Sequence, residues 1–265
     1  MEADVLSLEG KEEKKIELPS IFSTPQREDL IERVFWILWS HRLQPKGRDQ
    51  TAGKKTTAET YNPPTGRGIS RVPRVKGERY SRAGQAGGIS GVVKGRLAHP
   101  PKSEKVIYLK ANKKERKLAR NSAIAFTCSK EAVLTRGHKV DGVKLPLVVS
   151  DEVEKIKKTS ELLALMEKIG LSKEVERLYD GIKHNTGKAK RRGRAYRERK
   201  GPLIVVKSDK GIGRAASGIP GVDVTDVASL SVLHLAPGGK AGRLTLWAES
   251  AIKELAKEEK KKIEA

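Results

Sequence analysis

Cysteine is almost missing. The single Cys128 excludes an internal disulfide and a cysteine-rich zinc site. Histidine does not compensate, since His41, His99, His138, His184 and His234 are scattered with no pair at metal-ligand spacing. No stretch reaches the roughly eighteen consecutive apolar residues of a membrane span. The opening MEADVLSLEG lacks both the cationic start and the apolar core of a signal peptide. These absences predict a soluble, intracellular protein, with Cys128 a buried small hydrophobe. Acid is also scarce: 33 Asp and Glu face 55 Lys and Arg, a net charge of +22. Such a balance says little about fold but points to a polyanionic partner, nucleic acid first and anionic membrane second.

What charge there is, is concentrated. Residues 45–101 carry twelve cations, Lys46, Arg48, Lys54, Lys55, Arg67, Arg71, Arg74, Lys76, Arg79, Arg82, Lys94 and Arg96, against Asp49, Glu59 and Glu78. Residues 183–200 carry Lys183, Lys188, Lys190, Arg191, Arg192, Arg194, Arg197, Arg199 and Lys200 against Glu198 alone. The two stretches hold +17 of the +22, and the other 190 residues only +5. The sequence thus reads as a nearly ordinary domain with two cationic appendages.

Outside those stretches the pattern is that of alternating strands and helices. VLSLEGKEEKKIELP reads as strand, charged turn and strand. STPQREDLIERVFWILWSHRL predicts a helix: Ser23 or Thr24 can cap it, Pro25 suits its first turn, and Glu28 and Asp29 meet the positive dipole end. Leu30, Val34, Ile37 and Leu38 form its apolar stripe, and Trp36 and Trp39 read as core packing. A second helix is expected over 113–136, stopped by Gly137. LPLVV (145–149) has the continuous apolar character of a buried parallel strand. Ser150 or Asp151 is then expected to cap helical sequence through Ile169, and Ser172 to start another helix. PLIVV (202–206), VLHLA (232–236) and LTLW (244–247) are strand candidates, followed by a terminal helix from Glu249. The expected fold is α/β, a mostly parallel sheet flanked by helices.

Residues 45–101 cannot belong to that sheet. Ten glycines and six prolines in 57 residues forbid a long helix, and seven scattered aliphatics bury too little surface to offset ordering entropy. A solvated, mobile insertion and a segment that orders only against a polyanion both fit this composition. The second accounts for the residue types present. Arginine forks onto phosphates and stacks on bases, glycine admits a crowded RNA surface, and Tyr61 and Tyr80 offer rings for stacking. The interior basic stretch 183–201 reads as a second RNA-binding loop or cationic helix rather than a free tail.

Two motifs invite a different reading. Gly211, Gly213 and Ala216 follow a strand and match the dinucleotide fingerprint G-x-G-x-x-A, but Gly218 and Pro220 end any helix there within a few residues. TAGKKTT (51–57) is similar to the end of a phosphate loop, yet Lys55 occupies the place of the magnesium-ligating Ser or Thr. No catalytic dyad or triad, cofactor site or metal site follows from spacing. An α/β enzyme acting on RNA or nucleotides through 211–216, and a nucleic-acid chaperone without a fixed site, stay open as alternatives.

LQPKGRDQTAGKKTTAE, RVPRVKGERYSRAGQAGG and GRLAHPPK resemble the long internal loop of the large-subunit ribosomal protein four (L-four) family, archaeal and eukaryotic branch. RNSAIAFTCSKEAVLTRGHKV, LPLVVSDEVEKIKKT and IPGVDVTDVASLSVLHLAPGGKAGRLTLWAESAIKEL continue the resemblance collinearly over nearly the whole chain. It implies one α/β domain over 1–265 interrupted by a long basic Gly/Arg-rich internal extension at 45–101 that binds rRNA. It further implies a ribosome-bound, cytoplasmic, non-catalytic protein that supports subunit assembly. Its partners would be large-subunit rRNA, neighbouring ribosomal proteins and the nascent peptide, with no membrane and no homo-oligomer. The stalk would lie near 46–55 and 82–96. The tip would fall within 59–79, with Thr60, Tyr61, Asn62, Arg67, Arg71 and Arg74 as candidates for the wall of the peptide exit tunnel. GERYSRAGQAGGISGVVKG departs from the arginine- and aromatic-richer eukaryotic form, and GKAKRRGRAYRERKG matches the family's second basic region in composition more than in sequence.

Overall fold

The computed structural model describes residues 1–60, 62–79, 81–140 and 142–263, with side chains through Glu259. In chain order the strands and helices are β1 (Glu2–Leu6), β2 (Glu12–Glu17), α1 (Glu28–Ser40), β3 (Ala58–Thr60), β4 (Pro73–Val75), α2 (Lys113–Phe126) and α3 (Lys130–Thr135). They continue with β5 (Leu147–Val149), α4 (Thr159–Lys168), α5 (Ser172–Asp180), β6 (Lys183–His184), α6 (Gly187–Arg191), β7 (Tyr196–Arg197) and β8 (Leu203–Val206). The last are α7 (Ile212–Ala216), β9 (Asp223–Asp226), α8 (Val232–Leu235), β10 (Thr245–Ala248) and α9 (Glu249–Ile263). The chain divides into two compact units, one of Met1–Trp39 with Lys110–Ala265 and one of Ser40–Leu109.

The first unit is the expected α/β body. Its six-stranded sheet runs in the order β2-β1-β5-β10-β8-β9. Only β2 is antiparallel to its neighbour; the pairs β1–β5, β5–β10, β10–β8 and β8–β9 are all parallel. The central strands explain themselves. Leu147–Val149, Leu203–Val206 and Thr245–Ala248 are buried at every position, as parallel strands covered on both faces must be. Trp247 is completely buried, with its ring edge-on to Phe22 at 5.3 Å between centroids. Cys128 is half-buried against this core, and burial pushes its thiol up to about 11.

Several local expectations fail, each for a visible reason. The helix expected over 113–136 breaks after Phe126: Thr127 turns its hydroxyl back onto the Ile124 carbonyl at 2.7 Å, and Ser129 starts α3 by accepting the Ala132 N–H. The helix expected through Ile169 is only a short 3-10 turn, Asp151–Lys155, until α4 begins, because extended Ile156 buries its side chain between them. VLHLA is helix α8 rather than a strand. The edge position beside β8 goes instead to Asp223–Asp226, whose DVTD sequence carries little apolar signal. On α1 the buried stripe is Ile31, Val34, Phe35 and Ile37, with Leu30 and Leu38 partly covered. Trp36 and Trp39 do not enter the core: they are 53% and 38% exposed, and Phe35, the neighbour of Trp36 in sequence, takes the inward position.

Candidate nucleic-acid interface

The second unit brings two distant limbs of chain together at successive levels. At its chain ends, His41 stacks on Tyr108 with centroids 3.9 Å and planes 9° apart, and His41 Nε2 lies 2.7 Å from the Leu109 carbonyl. Farther along, Gly53 faces Gly95 so closely that a Cβ on Gly53 would sit 2.5 Å from the Gly95 carbonyl carbon. Gly53 also has φ +79, a second reason that position takes no side chain. Beyond that level, β3 and β4 pair antiparallel, with Ala58 opposite Val75 and Thr60 opposite Pro73. Residues 84–87 form a third limb: Val75 N–H donates to Gln85 at 2.9 Å, and Gly87 N–H to Pro73 at 3.0 Å.

Apart from the His41–Tyr108 stack, these contacts are made by backbone, not by a core. Among the described residues of 45–101, only Pro63 and Gly87 are buried. Lys46, Arg48, Lys54, Lys55, Arg67, Arg71, Lys76, Arg79, Arg82 and Lys94 are all exposed, and Arg96 and Arg74 half-buried. Some cations have internal duties. Lys55 pairs with Asp49 at 2.9 Å, and bonds from Lys55 and Thr51 hold that carboxyl far below the usual carboxylate range. Lys76 pairs with Glu59 across the hairpin. Arg74 donates to the Gly84 carbonyl at 2.9 Å and to the Ser70 carbonyl at 3.2 Å, which makes it a brace between limbs.

Of the tip candidates, Asn62, Arg67 and Arg71 are exposed in the 61–72 connection, and Thr60 is exposed at its root. Arg71 reaches Thr65 Oγ1 at 3.3 Å. Arg74 lies outside that connection, on β4. Tyr61 and Tyr80 lie outside the described residues.

The second basic stretch is a small hairpin of the first unit. Strand β6 pairs with β7, Lys183 opposite Arg197 and His184 opposite Tyr196, while the five-residue helix α6 fills the turn. Lys188, Lys190, Arg191, Arg192, Arg194, Arg197, Arg199 and Lys200 are all exposed. Helix α5 carries its anchor. Arg177 donates to the Lys200 carbonyl at 3.0 Å and to Glu174 Oε1 at 2.6 Å. Fully buried Glu174 also accepts His138 Nδ1–H at 2.7 Å and the Lys139 N–H at 2.9 Å. Burial alone would raise the Glu174 carboxyl, but the bonds from Arg177 and His138 overcome it and hold it at about 2. Burial likewise lowers His138, against the pull of its carboxylate partner.

Sequence reasoning missed this scaffold. Arg243 makes the same point: it is buried, and donates to Gly201 and His234 carbonyls at 2.8 Å each, so both ends of the adjoining loops are fixed. Periodicity cannot separate such an arginine from a solvated one. The dinucleotide-like loop is also clarified. The Gly211 and Gly213 N–H groups, which would have to meet a pyrophosphate, donate to Asp209 Oδ1 at 2.8 and 3.2 Å. The protein's own carboxylate occupies that cradle, and α7 behind it is five residues long. Among the described residues no group of three His, Cys, Asp or Glu could hold a metal, and no helix is long and apolar enough to cross a membrane.

Comparison with known proteins finds relatives over almost the full length. Residues 16–258 match the Ribosomal protein L4/L1 family. The large ribosomal subunit protein uL4 of Saccharolobus solfataricus is 46% identical over 253 residues, covering 95% of this chain and 92% of its own. Those of Methanococcus aeolicus and Methanocaldococcus jannaschii are each 44% identical, over 260 and 255 residues, covering 97% and 96% of this chain and 99% and 98% of theirs.

Proposed function

The chain belongs to the Ribosomal protein L4/L1 family, and from that membership we propose that it is a structural, non-catalytic constituent of the large ribosomal subunit that binds large-subunit rRNA. The observation that carries the reading to particular residues is the exposure of the cations. Nineteen of the twenty-one basic residues in the two stretches are exposed, on segments that bury almost no apolar side chain of their own. Lysine and arginine in that setting neutralise phosphates and release counterions. Gly53 and Gly95 keep the two limbs of the second unit thin enough to enter a crowded RNA surface.

On this reading 45–101 is an extension that reaches into the rRNA, its stalk formed by 46–55 and 82–96. Its 61–72 connection is the tip, and Thr60, Asn62, Arg67 and Arg71 contribute to the wall of the peptide exit tunnel and meet the nascent peptide. The 183–201 hairpin is a second, independent rRNA contact. The protein acts in the cytoplasm, bound to the ribosome, where the ordering of both segments against rRNA helps compact the subunit during assembly. Sedimentation tests the reading. The chain is expected to cosediment one-to-one with large subunits through a high-salt wash. Sub-stoichiometric recovery, or complete release at a salt concentration that leaves other subunit proteins bound, would overturn it.

A further inference from the structure

We infer that the first unit carries a third RNA contact, an aromatic and cationic face built by the C-terminal half of α1 and the first turns of α2. The inference rests on the RNA-binding reading above but concerns residues outside both basic stretches.

Two contacts order α2 against α1 and the residue before it in opposite directions. The Arg27 N–H donates to Ser122 Oγ at 2.8 Å, and farther along Arg33 Nε meets Glu115 Oε1 at 3.1 Å. Advancing along α1 therefore means moving back along α2. Trp36 lies three residues past Arg33, about 4.5 Å along the helix axis, which brings it level with the opening turn of α2. Its indole is 53% exposed, and Phe35 holds it edge-to-face with centroids 5.4 Å apart. Trp39, one turn on and 38% exposed, stacks on the other side of Phe35 at 5.9 Å. The shared Phe35 contact fixes both rings.

Beside this ledge, α2 opens with Lys113, Lys114, Arg116 and Lys117, all exposed. Among the described residues none of these four pairs with a carboxylate, and the intervening Glu115 is taken by Arg33. On α1, Asp29 is neutralised by Arg27 at 2.7 Å, which leaves Glu28 and Glu32 as the acids opposing four cations. A fixed, exposed indole next to a row of unneutralised cations is complementary to a strand that offers both π-faces and phosphates. A protein surface would have to bring a matching set of acids. The occupant assigned here is an RNA segment with at least one unstacked base. Charge counting hides the site, because KKERK (113–117) is diluted among the 190 residues that carry only +5 in total.

Affinity of the full chain for isolated large-subunit rRNA, measured against salt, tests the inference. Trp36→Ala is expected to weaken binding by roughly 5- to 150-fold, the range for one stacked base, and to leave the salt slope unchanged. Trp36→Phe should recover most of that affinity. Replacing Lys113, Lys114, Arg116 and Lys117 with Gln should instead reduce the log–log slope by roughly 3. A zero-length photo-crosslink from the peptide containing Trp36 to rRNA in assembled subunits is the readout that does not depend on a variant folding. Unchanged affinity in both variants, or no such crosslink, overturns the inference alone. Normal binding to naked rRNA with poor incorporation would give the face to a protein neighbour and also overturn it. A wild-type chain that binds no rRNA would overturn the functional reading with it.

Discussion

Arg243 Nη2 lies 2.6 Å from Asp223 Oδ2, an ion pair between the residue that leads into β10 and the first residue of edge strand β9. The arginine is 1% exposed, and its remaining donors go to main-chain carbonyls of Gly201, His234, Gly221 and Pro202. One side chain thereby ties the end of the basic hairpin, the β8–β9 edge and the approach to β10.

Arg243→Ala leaves those carbonyls without their donor and Asp223 without its buried partner. The expected cost is roughly 3–5 kcal/mol of folding stability, read as a lower urea midpoint. Arg243→Lys keeps the charge but not the fork, so it should recover only part of that stability. A midpoint within error of wild type for Arg243→Ala would show that the network contributes nothing.

The Glu174 cluster predicts acid sensitivity. The folded carboxyl titrates at about 2 against an ordinary 4.5, so its stabilising effect is complete above 4.5 and disappears as pH falls toward 2. The expected magnitude is roughly 3 kcal/mol. His138 is lowered from 6.5, so protons favour the unfolded chain from there downward, in the same direction. Stability should be flat near pH 8 and fall steadily below about 6.5. Glu174→Gln should be less stable at pH 7 and lose less on acidification, which urea titrations from pH 8 to pH 3 measure.

Gly95 allows no side chain: a Cβ there would stand 1.9 Å from the Ile89 carbonyl oxygen. Gly95→Val should therefore distort the 89–95 turn, where the clash lies, and accelerate proteolysis within 45–101. The first unit's sheet involves none of these residues, so near-ultraviolet circular dichroism from buried Trp247 should persist. Disappearance of that signal would mean the units fold as one.

Replacing Arg191, Arg192, Arg194 and Arg197 with Gln removes four exposed charges from the 183–201 hairpin. The salt slope of rRNA binding should flatten by roughly 0.7–0.9 for each phosphate no longer neutralised, and far-ultraviolet circular dichroism should hardly change. An unchanged slope would remove this hairpin from the interface.

Deleting the 61–72 connection and closing β3 to β4 with a short turn separates docking from the proposed tunnel role. The stalk residues retain their charge, and shortening an exposed loop changes closure entropy little. The variant should enter large subunits, while cross-linking of a nascent peptide to this protein disappears. Persistent cross-linking after incorporation would place the tip elsewhere.

The sequence by itself determined the parts of this protein whose signal is local. The continuous apolar runs at 147–149 and 203–206 have no stable place except a covered parallel sheet, and they take it. The glycine, proline and cation content of 45–101 denies that stretch an apolar core, and almost nothing in it is buried. Only the tertiary structure decided matters that depend on a distant neighbour. DVTD becomes a strand by pairing with the edge of β8, while the more apolar VLHLA forms α8. Arg243 and Arg177 are internal braces while Arg191 and Arg192 face solvent, though all four are the same residue type. Phe35 points inward and Trp36 outward since a helix buries one side only, and the body packed on α1 selects which. A guanidinium or an indole has the same chemistry at every position in the chain; its burial is set by backbone that arrives from elsewhere in the sequence.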